Sequence, residues 1–132
     1  MKNIYLDNNA TTKVDPEVIA AMMPFFEDHW GNPSSIHRFG GMVYKHIEEA
    51  RAKVASLLNC KPTEILFTGC GTESNNMALK GFVEKNGVNN SKIVTTVVEH
   101  PAILETADYL ASEGSKLYKV EVDGEGMLNV DD

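Results

Sequence analysis

Six consecutive β-branched residues, Ile93-Val94-Thr95-Thr96-Val97-Val98, leave this chain few choices of architecture. Branching at Cβ suits a pleated strand, and an apolar run without alternation belongs to a strand covered on both faces. The flanking segments change period. Ile103, Leu104, Ala107, Leu110 and Ala111 form a helical stripe over 101–113, with Pro101 suited to the first turn and Gly114 to the position after the last. A second helix is expected over 73–85. Ile65-Leu66-Phe67 marks a strand at 64–68, and Tyr118, Val120 and Val122 alternate with charged residues in a strand at 116–122. A β-α-β-α-β series of this kind implies an α/β domain with a mostly parallel sheet and right-handed crossovers. Ligands in open sheets of that type sit at the carboxyl ends of the strands, where Gly71-Thr72 and Glu99-His100 fall.

The first sixty residues read differently. Ile4-Tyr5-Leu6 is a short extended piece, and Asp7 to Thr12 a polar loop. Asp15-Pro16 opens a helix, with Asp as N-cap and Pro at the first position. Val18, Ile19, Met22, Met23 and Phe26 give it an apolar stripe, and Pro24 predicts a kink or a break. Gly31 to Ser35 is loop chemistry. From about Arg38 to Leu58 the spacing of Val43, Ile47, Ala50, Val54, Leu57 and Leu58 describes one face of a longer helix. The expected organisation is an N-terminal helical segment over 1–60, then part of a parallel α/β domain with helices on both faces over 61–132.

The stretch Phe67-Thr68-Gly69-Cys70-Gly71-Thr72-Glu73-Ser74-Asn75-Asn76 carries the chemistry. Strand, glycine turn and helix start, in that order, form the usual phosphate cradle: first-turn N–H groups point outward, and the helix dipole favours an anion. Gly71 permits close approach or a positive φ. Thr72 serves either as N-cap or as a hydroxyl donor to a phosphate, and a purely structural turn remains an alternative. With 132 residues and a net charge of −7, the chain is one soluble domain with no nucleic-acid surface. No apolar run approaches the roughly 18 residues of a membrane span, and no secretory leader opens the sequence. Cys60 and Cys70 have neither zinc nor redox spacing, and a reducing, cytoplasmic setting is expected.

Four blocks in order resemble the pyridoxal-phosphate-dependent cysteine desulfurases of the class V aminotransferase family, fold type I. They are Tyr5 to Thr12, Gly31 to His37, Phe67 to Asn75, and Val97 to Ala102. Cys70 and the sequence Glu99-His100-Pro101-Ala102 are nearest to the nitrogen-fixation (NifS) branch. The resemblance implies that Gly71 and Thr72 hold the cofactor phosphate. It also implies that His100 stacks on the pyridine ring and assists proton transfer. The bland alternative for His100 is a helix N-cap. Asn8 and Asn32 fall in motif loops without an assigned role. Two positions depart from the pattern: Gly69 stands where Ser is common, and Asn75 where Asp is.

The resemblance further implies L-cysteine as substrate, a NifU-like iron–sulfur scaffold as sulfur acceptor, and a homodimer. The Schiff-base lysine, the acid on the pyridine nitrogen and the sulfur-accepting cysteine of such enzymes have no counterparts here, so an inactive opening portion of a longer protein is expected. Such a piece would expose apolar surface and self-associate. Lys80 reads as a solvent-facing helix residue, Cys70 as structural or cofactor-adjacent, and Cys60 as filler. Three competing readings stand beside this one. Gly69-x-Gly71-x-x-Ser74 with Glu99 is a degenerate dinucleotide fingerprint. A selenocysteine lyase would share the family, and a non-catalytic interaction domain would need the glycines only for a turn.

Overall fold

The computed structural model describes residues 4–128, which divide into two compact units, one ending at Leu66 and the other beginning at Phe67.

In the first unit, α1 (Pro16–Glu27) begins where Asp15 Oδ1 accepts the Glu17 N–H at 2.8 Å. Of the kink or break expected at Pro24, the break is not found: α1 runs unbroken through it. Proline removes one donor to one carbonyl, and the Pro24 carbonyl itself still accepts from Asp28 and His29 at 2.8 Å. Helix α2 (Arg38–Leu57) is capped by His37, whose Nδ1 accepts from Gly40 N at 3.3 Å. Phe25, His29 and His46 form a three-ring cluster, with the two imidazole centroids 4.9 Å apart. Arg51 ties α2 to the segment after it, donating from Nη1 to Ile65 O at 2.5 Å and from Nε to Glu48 at 3.0 Å. The α2 stripe is only partly covered: Val43 is buried, but Leu57 is 84% exposed. No residue of α1 is buried.

In the second unit, α3 (Gly71–Asn86), β1 (Lys92–Thr96), α4 (Pro101–Ser112) and β2 (Lys116–Val120) follow in turn. The strands pair in parallel, Ile93 beside Leu117 and Val94 beside Tyr118, with α4 as the crossover. Val83, Ile93, Ala107 and Leu110 form the core, joined by Leu79, Val88 and Leu117. Of the helices expected on both faces of the sheet, α3 and α4 cover the face bearing Ile93 and Leu117. Gly114 takes φ 119°, as the position after α4 requires.

Two expectations need correction. The strand at 64–68 is absent: the sheet of the described residues contains β1 and β2 only. Pro62–Glu64 forms a 3₁₀ turn closed by Ile65 N on Pro62 O. Gly71-Thr72 therefore follows irregular backbone rather than a paired strand. Nor is the β-branched run buried on both faces, since Val94 is 68% exposed. Composition encodes readiness to be covered, and the cover comes from other segments. The chain's close turns at Asp123, whose Oδ1 accepts from Glu125 and Met127 at 2.9 Å, and bridges Val122 to Leu128. The remainder of the expected final element, 129–132, lies outside the described residues.

Candidate functional site

Among the described residues, three of the four α-helices start with a side-chain cap: Asp15 for α1, His37 for α2 and His100 for α4. Helix α3 starts without one. Its N-cap, Cys70, makes no side-chain cap bond. The first-turn donors of α3 are thus left to something other than a capping side chain. Thr72 is not the N-cap that one reading allowed; it is the second residue of the helix. Gly71 has no positive φ. A Cβ added there would meet nothing within 4 Å, so the backbone at the start of α3 faces open space.

The turn before α3 is held from behind. Glu73 Oε2 accepts the Gly69 N–H at 2.6 Å. The hydroxyls of Thr68 and Ser74 lie 2.6 Å apart, and each lies 3.3 Å from the Cys70 carbonyl oxygen. Neither interaction was foreseen from the sequence. The signal was a Glu at the third helical position, the place of a capping-box acid.

Thr72 and His100 border one cavity of about 500 Å³ between α3 and α4. Its wall continues along α3 through Asn76 and Lys80 and along α4 through Glu105, Thr106 and Tyr109. The spacing Thr72, Asn76, Lys80 is i, i+4, i+8, one helical stripe, and would have revealed these neighbours. Asn76 Nδ2 donates to Thr72 O at 3.0 Å. Lys80, read as merely solvent-facing, has Nζ 5.4 Å from the Tyr109 ring centroid, a cation–π contact.

His100 Nδ1 accepts from Ala102 N at 3.0 Å. The bond leaves Nε2 and the ring face uncommitted. Glu99 accepts from Thr96 Oγ1 at 3.2 Å. Cys70 is exposed and Cys60 half-buried, both as free thiols. Asn8 and Asn32 belong to the first unit, and Asn32 Oδ1 is used within its own loop, accepting from Ser34 N at 2.8 Å. Among the described residues no helix is long and apolar enough to cross a membrane.

The observations suit a phosphorylated aromatic ligand. Uncapped amides and a hydroxyl meet a phosphate, open space at Gly71 admits it, and a cavity of this size accommodates a ring beside an imidazole. Comparison with known proteins gives the family. The model of the family described as aminotransferase class-V matches residues 4–132. "Cysteine desulfurase NifS" of Azotobacter vinelandii is 48% identical over 132 residues, covering 99% of this chain and 33% of that protein. "Cysteine desulfurase" of Azotobacter chroococcum is 47% identical over 131 residues, 99% of this chain and 32% of that one. A solved "NIFS-like protein" superposes with TM-score 0.88 at 43% identity, covering 98% of this chain and 36% of the other. The chain spans about a third of the length of the curated relatives it matches.

Proposed function

From the premise that this chain belongs to the aminotransferase class-V family, we propose that it is part of a pyridoxal-phosphate-dependent cysteine desulfurase. The parent enzyme takes sulfur from L-cysteine and leaves L-alanine. It passes a persulfide to an iron–sulfur scaffold of the NifU kind, working as a cytoplasmic homodimer. The observation that carries the reading is the α3 start, bare of a side-chain cap, with Thr72 and His100 on one cavity wall.

The cofactor, when bound, supplies the electron sink that the amino acid's own carbon lacks. The residues here hold and orient. The amides of Gly71 and Thr72, with the Thr72 hydroxyl, take the phosphate, and the dipole of α3 favours its negative charge. The His100 ring lies against the pyridine. Its Nδ1 is committed to Ala102, so Nε2–H is the group free to donate a hydrogen bond toward the ligand. Names among the relatives support the nitrogen-fixation branch, where the Glu99-His100-Pro101-Ala102 sequence also points.

The experiment is thermal unfolding of the chain with pyridoxal phosphate, with pyridoxal lacking the phosphate, and with NAD. Stabilisation by the first alone is expected. Stabilisation by NAD alone would favour the dinucleotide reading, which the missing third glycine and the comparisons do not. No alanine release from L-cysteine is expected of these 132 residues; robust turnover would refute their inactivity.

A further inference from the structure

We propose that Glu73 is a positioning residue that sets how tightly the start of α3 holds an anion, through two opposed effects of one carboxylate. The inference rests on the cradle reading above.

The first effect is mechanical. In a capping box, a Glu at the third helical position returns to the N-cap amide. Here the carboxylate reaches one residue further and accepts from Gly69 at 2.6 Å. The bond closes the turn without using one of the helix's own first-turn amides. The Thr68–Ser74 hydroxyl pair pins the Cys70 carbonyl from the same turn. With one end of the turn held by Glu73 and the N-cap carbonyl held by one hydroxyl of the Thr68–Ser74 pair, the Gly71 and Thr72 amides are ordered before a ligand arrives. Gly69 fits this arrangement. A Cβ at position 69 would stand 3.3 Å from Glu73 Oε2, so a side chain there requires the carboxylate to give by a few tenths of an ångström, which glycine does not.

The second effect is electrostatic. A negative charge in the first turn is favourable to the helix, but it occupies the same positive end that a phosphate seeks. The carboxylate therefore strengthens the geometry of the cradle and weakens its field.

The two effects separate by substitution. Glu73→Gln keeps the length and an oxygen acceptor for Gly69 and removes the charge. Glu73→Ala removes both. Glu73→Asp keeps the charge but falls one methylene short of Gly69, and supplies the open-turn arm should the alanine variant not fold. The readouts are NMR shifts of the Gly71 and Thr72 amides, titrated with pyridoxal phosphate and with inorganic phosphate, and hydrogen exchange at Gly69 without ligand. Affinity is expected to rise about two- to fivefold in Glu73→Gln, the range a single charge commands at a helix end, and to fall in Glu73→Ala or Glu73→Asp. Exchange at Gly69 should quicken only in the latter two. A purely structural Glu73 would give no gain in the glutamine variant. Equal affinities across a binding wild type and Glu73→Gln overturn this inference alone. A wild-type chain silent to both ligands overturns the cradle and the inference together.

Discussion

His100 accepts the backbone N–H of Ala102 through Nδ1 at 3.0 Å while the same residue borders the cavity shared with Thr72. Capping and facing a ligand had stood as alternatives for this histidine. The bond reconciles them, because it uses only one ring nitrogen. An accepting Nδ1 carries no proton, so the neutral ring holds its hydrogen on Nε2. The cap fixes the ring at the start of α4, and the free Nε2–H edge is the one able to donate a hydrogen bond to a ligand.

His100→Asn and His100→Ala should therefore part company. Asparagine is a good N-cap, and its variant should unfold within a few tenths of a kcal/mol of the parent, at about the same denaturant midpoint. Alanine should cost about 0.5–2 kcal/mol. Both should lose the cofactor affinity that depends on the ring. Full pyridoxal phosphate binding by a well-folded asparagine variant would remove the ring from the site.

Gly71→Ala tests the open space at the start of α3. No atom lies within 4 Å of the added Cβ, so stability should hold or rise slightly. On the cradle reading, pyridoxal phosphate binding should weaken about tenfold, or about 1.4 kcal/mol, since a methyl group is added beside the amide proposed to hold the phosphate. Calorimetric titration beside a melting curve measures both; a stable variant with unchanged affinity would mean that no ligand comes near Gly71.

Adjacent glycines in α2 offer an internal control. A Cβ on buried Gly40 would fall 2.5 Å from the Asn32 carbonyl oxygen and 2.7 Å from Ser35 Cβ; on Gly41 it would meet nothing within 4 Å. Gly40→Ala should destabilise by about 1–3 kcal/mol and displace the loop at 31–35. Gly41→Ala should be neutral, or stabilising by up to about 1 kcal/mol through helix propensity. Urea unfolding of the pair, one residue apart, decides whether close approach of the loop is the cause.

Burial ranks two polar contacts of the second unit. Ser91, 1% exposed, donates from Oγ to Gly87 O at 2.9 Å. Lys119 meets Asp108 at 2.8 Å in a more exposed setting. Ser91→Ala should cost about 1 kcal/mol, because it removes a part-buried hydrogen bond, the Gly87 carbonyl keeping only the Asn90 N–H at 3.1 Å. Lys119→Met should cost less than about 1 kcal/mol, and less still in high salt. Chemical denaturation at two salt concentrations tests the order.

Local grammar was legible along the chain. Asp15-Pro16 and His100-Pro101 start α1 and α4, Gly114 follows the end of α4, and the period of Val43, Ile47 and Val54 marks α2. Each signal acts within about a turn of helix, so neighbouring residues suffice to express it. The order of the four motif blocks likewise marks the family to which the chain belongs.

Tertiary structure decided the rest. Ile65-Leu66-Phe67 has the composition of a strand, yet the sheet of the described residues is made of β1 and β2 alone. Val94 has the composition of a buried residue, yet stands exposed. Strand pairing and burial depend on what distant segments bring alongside, and no local pattern records that. The same reason hid the grouping of Lys80 and Tyr109 with Thr72 and His100. Their nearness comes from packing α3 against α4, a relation between helices that neither helix contains by itself.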